Sequence, residues 1–283
     1  MSTSLVGSRY ALHLTRRARE EASHAGSFVE VFPSDDAPPD DPTVGYVHSI
    51  EIGSTVDGPG IRFVLFLTGC PLRCQYCHNP DTWHRLAGTP YPVRGVLREL
   101  TKYTEALRTT GGGLTISGGE PVFQDRFMVE VMREAKALGV HTCLDTSGRL
   151  GARLDDEELA LIDLQLLDIK SGNPDTYRRV TGHPLEPTLI YARRLSDLRR
   201  PLWVRFVLVP GLTDDLDNVE RIADLCAGLE SLERVEILRF HQMGKAKYDK
   251  LKIPYPLADT EPPSVELTER VREQFLRRGL TVF

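Results

Sequence analysis

The sequence predicts an α/β fold built from about six parallel βαβ units over residues 45–283. Three observations carry this. Apolar runs of strand length alternate with stretches of helical periodicity. The runs are almost continuously apolar, as strands covered on both faces are. Residues of ligand type recur at the carboxyl end of all but one run, where parallel α/β folds gather their ligands.

The elements follow in order. The loop "TVDGPG" (55–60) reads as a turn before the first strand, "IRFVLFLTG" (61–69), which runs into Cys70. Residues 93–109 set Val96, Leu100, Tyr103 and Leu107 on one helical face. "GLTISGGE" (113–120) is a strand ending in glycines. Residues 125–138 repeat Met128, Val131, Met132, Ala135 and Leu138 at helical spacing. Strands follow at "VHTCLDTSG" (140–148), "LQLLDIK" (164–170), "LWVRFVLVPG" (202–211) and "RVEILRFH" (234–241), with helices near 186–200 and 217–230 between them. A last helix covers about 264–278, with Val265, Val271 and Phe275 spaced for one face. The strand ends carry Cys70, Gly118-Gly119-Glu120, Asp145, Asp168 with Lys170, and His241, which implies one site on one rim of the sheet.

Composition narrows the function. A net charge of −5 leaves no basic excess to meet nucleic-acid phosphates. No apolar run approaches the ~20 residues needed to span a bilayer, so the chain is placed in solution, in the cytoplasm. Five cysteines, an odd number with three clustered, do not make a disulfide framework. In a reducing compartment they stay free for metal or redox chemistry. Residues 1–19 hold Arg and Ser but no acids, faintly like a transit peptide. Acids then arrive at Glu20, Glu21 and "PSDDAPPDDP" (33–42). Residues 1–44 therefore read as a poorly ordered extension before the folded domain, with a cleaved address as the competing reading.

The cluster is "GCPLRCQYCH" (69–78), a Cys-x3-Cys-x2-Cys run of Cys70, Cys74 and Cys77. A structural zinc site wants four protein ligands. A [4Fe–4S] cluster held by three cysteines instead leaves one iron free for a small molecule. A zinc ion that borrows His78 or Cys143 stays open, as does a redox pair of Cys74 and Cys77, which would leave Cys70 unexplained. Cys143 and Cys226 lie on apolar faces and read as core thiols. Asp145, Asp168 and Lys170 end buried strands, where charged groups are paired or bound to something; a structural Asp–Lys pair is the plain alternative.

The stretch "GCPLRCQYCHNPDTW" (69–83) resembles the cluster loop of radical S-adenosylmethionine (SAM) enzymes. With "STVDGPGIRF" (54–63) before it, it resembles the subgroup that activates glycyl radical enzymes. "GGGLTISGGEPVFQ" (111–124), "HTCLDTSG" (141–148), "LLDIK" (166–170), "LVPG" (208–211) and "HQMGKAKY" (241–248) resemble that subgroup's blocks in the same order. The resemblance covers about 45–283. It implies a partial (β/α)6 barrel of TIM type, open enough to admit a loop of a protein substrate.

The resemblance also implies roles. Cys70, Cys74 and Cys77 would ligate one [4Fe–4S] cluster, whose fourth iron would chelate SAM. Reduction would cleave SAM to methionine and a 5′-deoxyadenosyl radical, so no side chain is expected to be catalytic itself. Tyr76, Cys77, His78, Gly119, Asp168, Ile169, Lys170 and His241 would border SAM. Asp145 and Asp168 would hold a monovalent cation beside it. Asp57 and Arg62 would meet the substrate peptide. The expected activity is an oxygen-sensitive oxidoreductase that installs a glycyl radical on the glycine loop of a large enzyme, in anaerobic glucose metabolism.

Activases of other glycyl radical enzymes often carry an eight-cysteine insert after the cluster loop. Residues 78–112 contain no cysteine, which favours pyruvate formate-lyase as the partner. Reduced flavodoxin or ferredoxin is the expected donor, the chain is expected to be a monomer, and no nucleic acid or membrane is involved. Gln242 departs from the pattern, since an acid is expected after His241. The competing readings are an activase of another glycyl radical enzyme, a radical SAM enzyme acting on a small molecule, and a zinc-stabilised binding module without catalysis.

Overall fold

The computed structural model describes residues 42–283. The extension expected over 1–44 therefore lies outside the described residues, save for a turn at 42–43 and the first residue of a strand. The strands are β1 (Val44–Ser54), β2 (Arg62–Leu67), β3 (Thr89–Pro92), β4 (Gly113–Gly118), β5 (His141–Thr146), β6 (Leu164–Asp168), β7 (Leu202–Leu208) and β8 (Leu232–Arg239). They form one open sheet in the order β3-β1-β2-β4-β5-β6-β7-β8. From β2 through β8 every neighbouring pair is parallel. These are the strands expected from the sequence, and the partial-barrel class holds.

The sheet also extends into two stretches with little sequence signal. β1 pairs antiparallel with β2 and β3 antiparallel with β1, so two strands cap the β2 edge. β1 is half exposed and broken in register at His48, which hides its alternation. β3 reads "TPYP", and proline is tolerated in a sheet only at an edge, which is where β3 sits. At the other edge, residues 281–283 bond the backbone of β8 through Val235 and Ile237 and cover it.

The helices are α1 (Val93–Thr101), α2 (Thr104–Thr109), α3 (Asp125–Ala137), α4 (Asp156–Leu159), α5 (Pro174–Thr181), α6 (Glu186–Asp197), α7 (Leu216–Ala227), α8 (Lys245–Leu251) and α9 (Val265–Leu276). The helix expected over 93–109 is two helices. Thr101 and Thr104 turn their hydroxyls onto the carbonyls of Arg98 and Leu100, the local competition that breaks a helix ladder. α5 is punctuated by its own sequence. Asn173 caps the amides of Asp175 and Thr176, Pro174 opens the first turn, and Gly182 closes it at φ 82°. Its last turn docks the cysteine loop, since Arg73 and Gln75 donate their amides to Thr181 and Val180 at 3.0 Å each.

One continuous apolar core joins the sheet to its helices. A smaller one packs Tyr76, Val180, Val209, Leu212, Phe240 and Leu257 at the cysteine end. Among the described residues, no helix is long and apolar enough to cross a membrane.

Candidate functional site

The carboxyl ends of the parallel strands open onto a cavity of about 280 Å³. Its walls include Cys70, Cys74 and Cys77, then Tyr76, His78, Gly119, Asp145, Asp168, Lys170 and His241. Residues spread over 172 positions of sequence thus meet in one place, as strand-end clustering requires. Ile169 is the exception. Strand alternation sends Asp168 and Lys170 to the cavity and Ile169 the other way, fully buried in the main core.

The cysteine loop is held by backbone bonds at both ends. Gly69 donates its amide to Thr82 at 2.7 Å and Cys70 to Trp83 at 3.0 Å, while Cys77 turns back onto Cys74 at 3.0 Å. Arg73 folds its guanidinium under the loop, onto the carbonyls of Cys70 and Leu72 at 2.6 and 2.9 Å. β4 ends against this loop. A Cβ on Gly118, at φ +121°, would lie 2.2 Å from the Leu67 oxygen, and one on Gly119 would lie 2.5 Å from the Gly69 oxygen. Only glycines let the two backbones approach this closely.

Glu120 ties this end of the sheet together. Its buried carboxylate accepts from the Thr146 hydroxyl at 2.6 Å, from the Ser147 amide at 3.0 Å and from the Ser147 hydroxyl. Burial pushes its acid upward, against those bonds.

Electrostatics divide the cavity. Burial raises all three cysteine thiols: Cys70 well up, Cys74 to about 12 and Cys77 upward. Alone they stay protonated at neutral pH, and an occupant holding them as thiolates must bring positive charge. Burial, opposed by Arg205, pushes Asp145 up to about 6. Its Oδ2 accepts from Ser117 at 2.7 Å and faces Arg205 at 3.4 Å, whereas its buried Oδ1 has no partner. Lys170 pairs with Asp168 at 2.6 Å. Burial works against its charge, but Asp168, Tyr76 and Cys74 hold the ammonium well above its usual value. His78 and His241 stand edge to face on the rim, 5.0 Å apart at 82°. Burial, then His241 and Lys247, lower the His78 imidazole.

Asp57 and Arg62 separate. Arg62 is fully buried and donates to Thr115 at 2.9 Å, Leu114 O at 2.7 Å and Pro59 O at 3.2 Å. It braces the 55–60 loop from beneath and cannot meet a peptide, because an arginine in an apolar strand must spend its donors internally. Asp57 is half-buried on the loop before β2, bonded by Ser54. The sequence reading missed Arg205, which lies between Asp57, Asp145 and Glu236 and also donates to Val56 O at 2.9 Å. An arginine inside "LWVRFVLVPG" was the available signal.

The donor set suits a cluster better than an ion. Among the described residues, no three His, Cys, Asp or Glu side chains are placed to hold a single metal ion. Of the two residues a zinc ion could borrow, Cys143 lies in a separate apolar group with Leu164, Leu166 and Trp203 and is out of reach, whereas His78 lines the cavity with the three cysteines; Cys226 is in the main core. Three soft thiols around a glycine-floored cavity, each free to take its own iron, fit a [4Fe–4S] cluster with one open corner.

Comparison with known proteins agrees. A family model described as a 4Fe-4S single cluster domain matches residues 56–173, which hold all three cysteines. Pyruvate formate-lyase-activating enzyme of Staphylococcus epidermidis is 43% identical over 231 residues, covering 78% of this chain and 91% of that protein. A crystal structure of a domain of pyruvate-formate lyase-activating enzyme from Bacteroides vulgatus covers 61% of this chain and 98% of its own, with TM-score 0.50 and 23% identity. Streptococcus suis SuiB bound to precursor peptide SuiA covers 80% of this chain and 48% of its own, with TM-score 0.59 and 16% identity. At those identities the two structures speak for the fold alone. The identity and coverage of the Staphylococcus relative decide the rest: the chain belongs to the pyruvate formate-lyase-activating enzymes.

Proposed function

We propose that this chain is a radical SAM activase that installs a glycyl radical on pyruvate formate-lyase. The observation that carries the reading is the shared cavity: three thiols, a glycine floor and the charged ends of β5 and β6 line one space. Cys70, Cys74 and Cys77 would hold a [4Fe–4S] cluster, and the backbone at Gly118 and Gly119 would meet SAM at its open corner. When bound and reduced, that pair supplies a 5′-deoxyadenosyl radical.

The chain's own residues bind, orient and exclude water. Lys170, held in place by its ion pair with Asp168, presents an ammonium beside the cysteines. His78, His241 and Tyr76 offer ring surfaces on the rim and wall, suited to an adenine. Asp145, with one unpartnered oxygen, and Asp168 would hold a monovalent cation. Asp57, on the 55–60 loop, would meet an incoming glycine loop, with the buried Arg205 behind it holding Asp57 and the Val56 carbonyl. Flavodoxin or ferredoxin would deliver the electron, in the cytoplasm and to a monomer.

The test is anaerobic incubation of the purified chain with SAM, a reductant and purified pyruvate formate-lyase. The expected result is an organic radical signal in the lyase and 5′-deoxyadenosine in solution. SAM cleavage without a radical on the lyase would move the substrate elsewhere, and absence of both would remove the activase reading.

A further inference from the structure

We infer that Gln242 is a positioning residue: its amide clamps residues 255–260 as an aromatic cap over the Cys74 and Cys77 side of the cavity. The inference rests on the cluster reading above and extends it to what keeps water and oxygen out.

Gln242 follows His241 at the end of the last strand and is half buried. Its Nε2 donates to three carbonyls of one segment, Thr260 at 2.7 Å, Leu257 at 2.9 Å and Ala258 at 3.3 Å. Its Oε1 is buried without a partner. Turning the amide over would set that oxygen against all three carbonyls, so the orientation is fixed by the acceptors. The segment from 253 to 263 has turns but neither helix nor strand, and its placement depends on such anchors.

What the clamp places is specific. Leu257 enters the small core that contains Tyr76 and Phe240, and Cys74 and Tyr255 pack against that core. The Tyr255 ring lies 4.5 Å from that of Tyr248 at 36°. Tyr248 donates its hydroxyl to Cys77 O at 3.1 Å and stands edge-on to Trp83, 5.9 Å away. One amide therefore anchors the segment that carries Leu257 and Tyr255, which pack on the Tyr76–Phe240 core and on Tyr248 beside Cys74 and Cys77. Solvent access is a principal control on an iron–sulfur site, and this cap sets it.

The test uses the cluster-loaded chain. Gln242→Leu keeps the volume and removes the donors; Tyr255→Leu removes the cap itself. Both are prepared anaerobically to the iron content of the parent, and the decay of visible cluster absorbance is followed after air is admitted. Loss of the clamp should speed decay by about fivefold in Gln242→Leu, as a local opening would. Tyr255→Leu should shift the rate in the same direction, with cooperative unfolding retained in both. Decay at the parent's rate in both variants, from equal iron, overturns the inference while leaving the cluster reading intact. A parent chain that takes up no cluster overturns the cluster reading itself.

Discussion

Gly119→Ala is the sharpest small perturbation of the site. A Cβ there lies 2.5 Å from the Gly69 oxygen and 3.1 Å from the Cys70 Cβ. Ordinary contact begins at 3.4 Å, so a gap of 0.9 Å (3.4 less 2.5) must open between the end of β4 and the cysteine loop. The obstruction is backbone and cannot swing aside. The same Gly69 oxygen also accepts the Glu120 amide at 2.9 Å, so the bond that stitches the two segments is stretched as well. Overpacking of this kind costs about 1–3 kcal/mol and a strained hydrogen bond roughly 1 more. If the loop yields, Cys70 is carried away from Cys74 and Cys77; if it resists, the cost appears in global stability. The assay is therefore double: iron and sulfide per chain after anaerobic reconstitution, and denaturant unfolding of the cluster-free protein. One of the two should fall markedly. Gly111→Ala is the control, since a Cβ there meets nothing within 4 Å and only the φ of +65° resists it, at about 1 kcal/mol. Full iron with unfolding free energy within ~0.5 kcal/mol of the parent in Gly119→Ala would refute the argument.

Other expectations follow from single groups. Cys74→Ala should abolish cluster absorbance and SAM cleavage together, and parent levels of either would contradict the ligand assignment. Arg62→Met removes the guanidinium bonds to Thr115 and to the Leu114 and Pro59 carbonyls and should lower unfolding free energy by about 3 kcal/mol; a loss below about 1 would show that the brace matters little. Asp145, pushed up to about 6, favours the folded state in its protonated form. That contribution is full below the ordinary carboxylate value near ~3.9 and fades as pH rises through about 6, so the cluster-free chain should lose stability across that window. Asp145→Asn, permanently neutral, should flatten this step; an unchanged pH profile would place the titration elsewhere.

The legible parts of this protein were local in sequence. The parallel strands are buried on both faces, so their apolar runs announce them, and three cysteines within eight positions announce the loop. β1 and β3 stayed hidden because β1 is half exposed and β3 is built around two prolines. Within the site, the unread residues act on partners far along the chain. Arg205 reaches Val56 across 149 positions and Tyr248 reaches Cys77 across 171, separations that no spacing rule covers. Arg62 shows the reverse error: the resemblance implied a peptide contact, and burial gave its donors to Pro59, Leu114 and Thr115. Gln242 departs from the acid expected there because its role here is donation, which a carboxylate cannot perform.

A radical formed in the cavity lined by Cys70, Cys74 and Cys77 should take hydrogen from a glycine of pyruvate formate-lyase. Lyase labelled with deuterium on its glycine α-carbons reports that transfer. Mass analysis of the 5′-deoxyadenosine released with this chain, SAM and reductant should show one deuterium transferred. Unlabelled 5′-deoxyadenosine alongside a lyase without radical would contradict it.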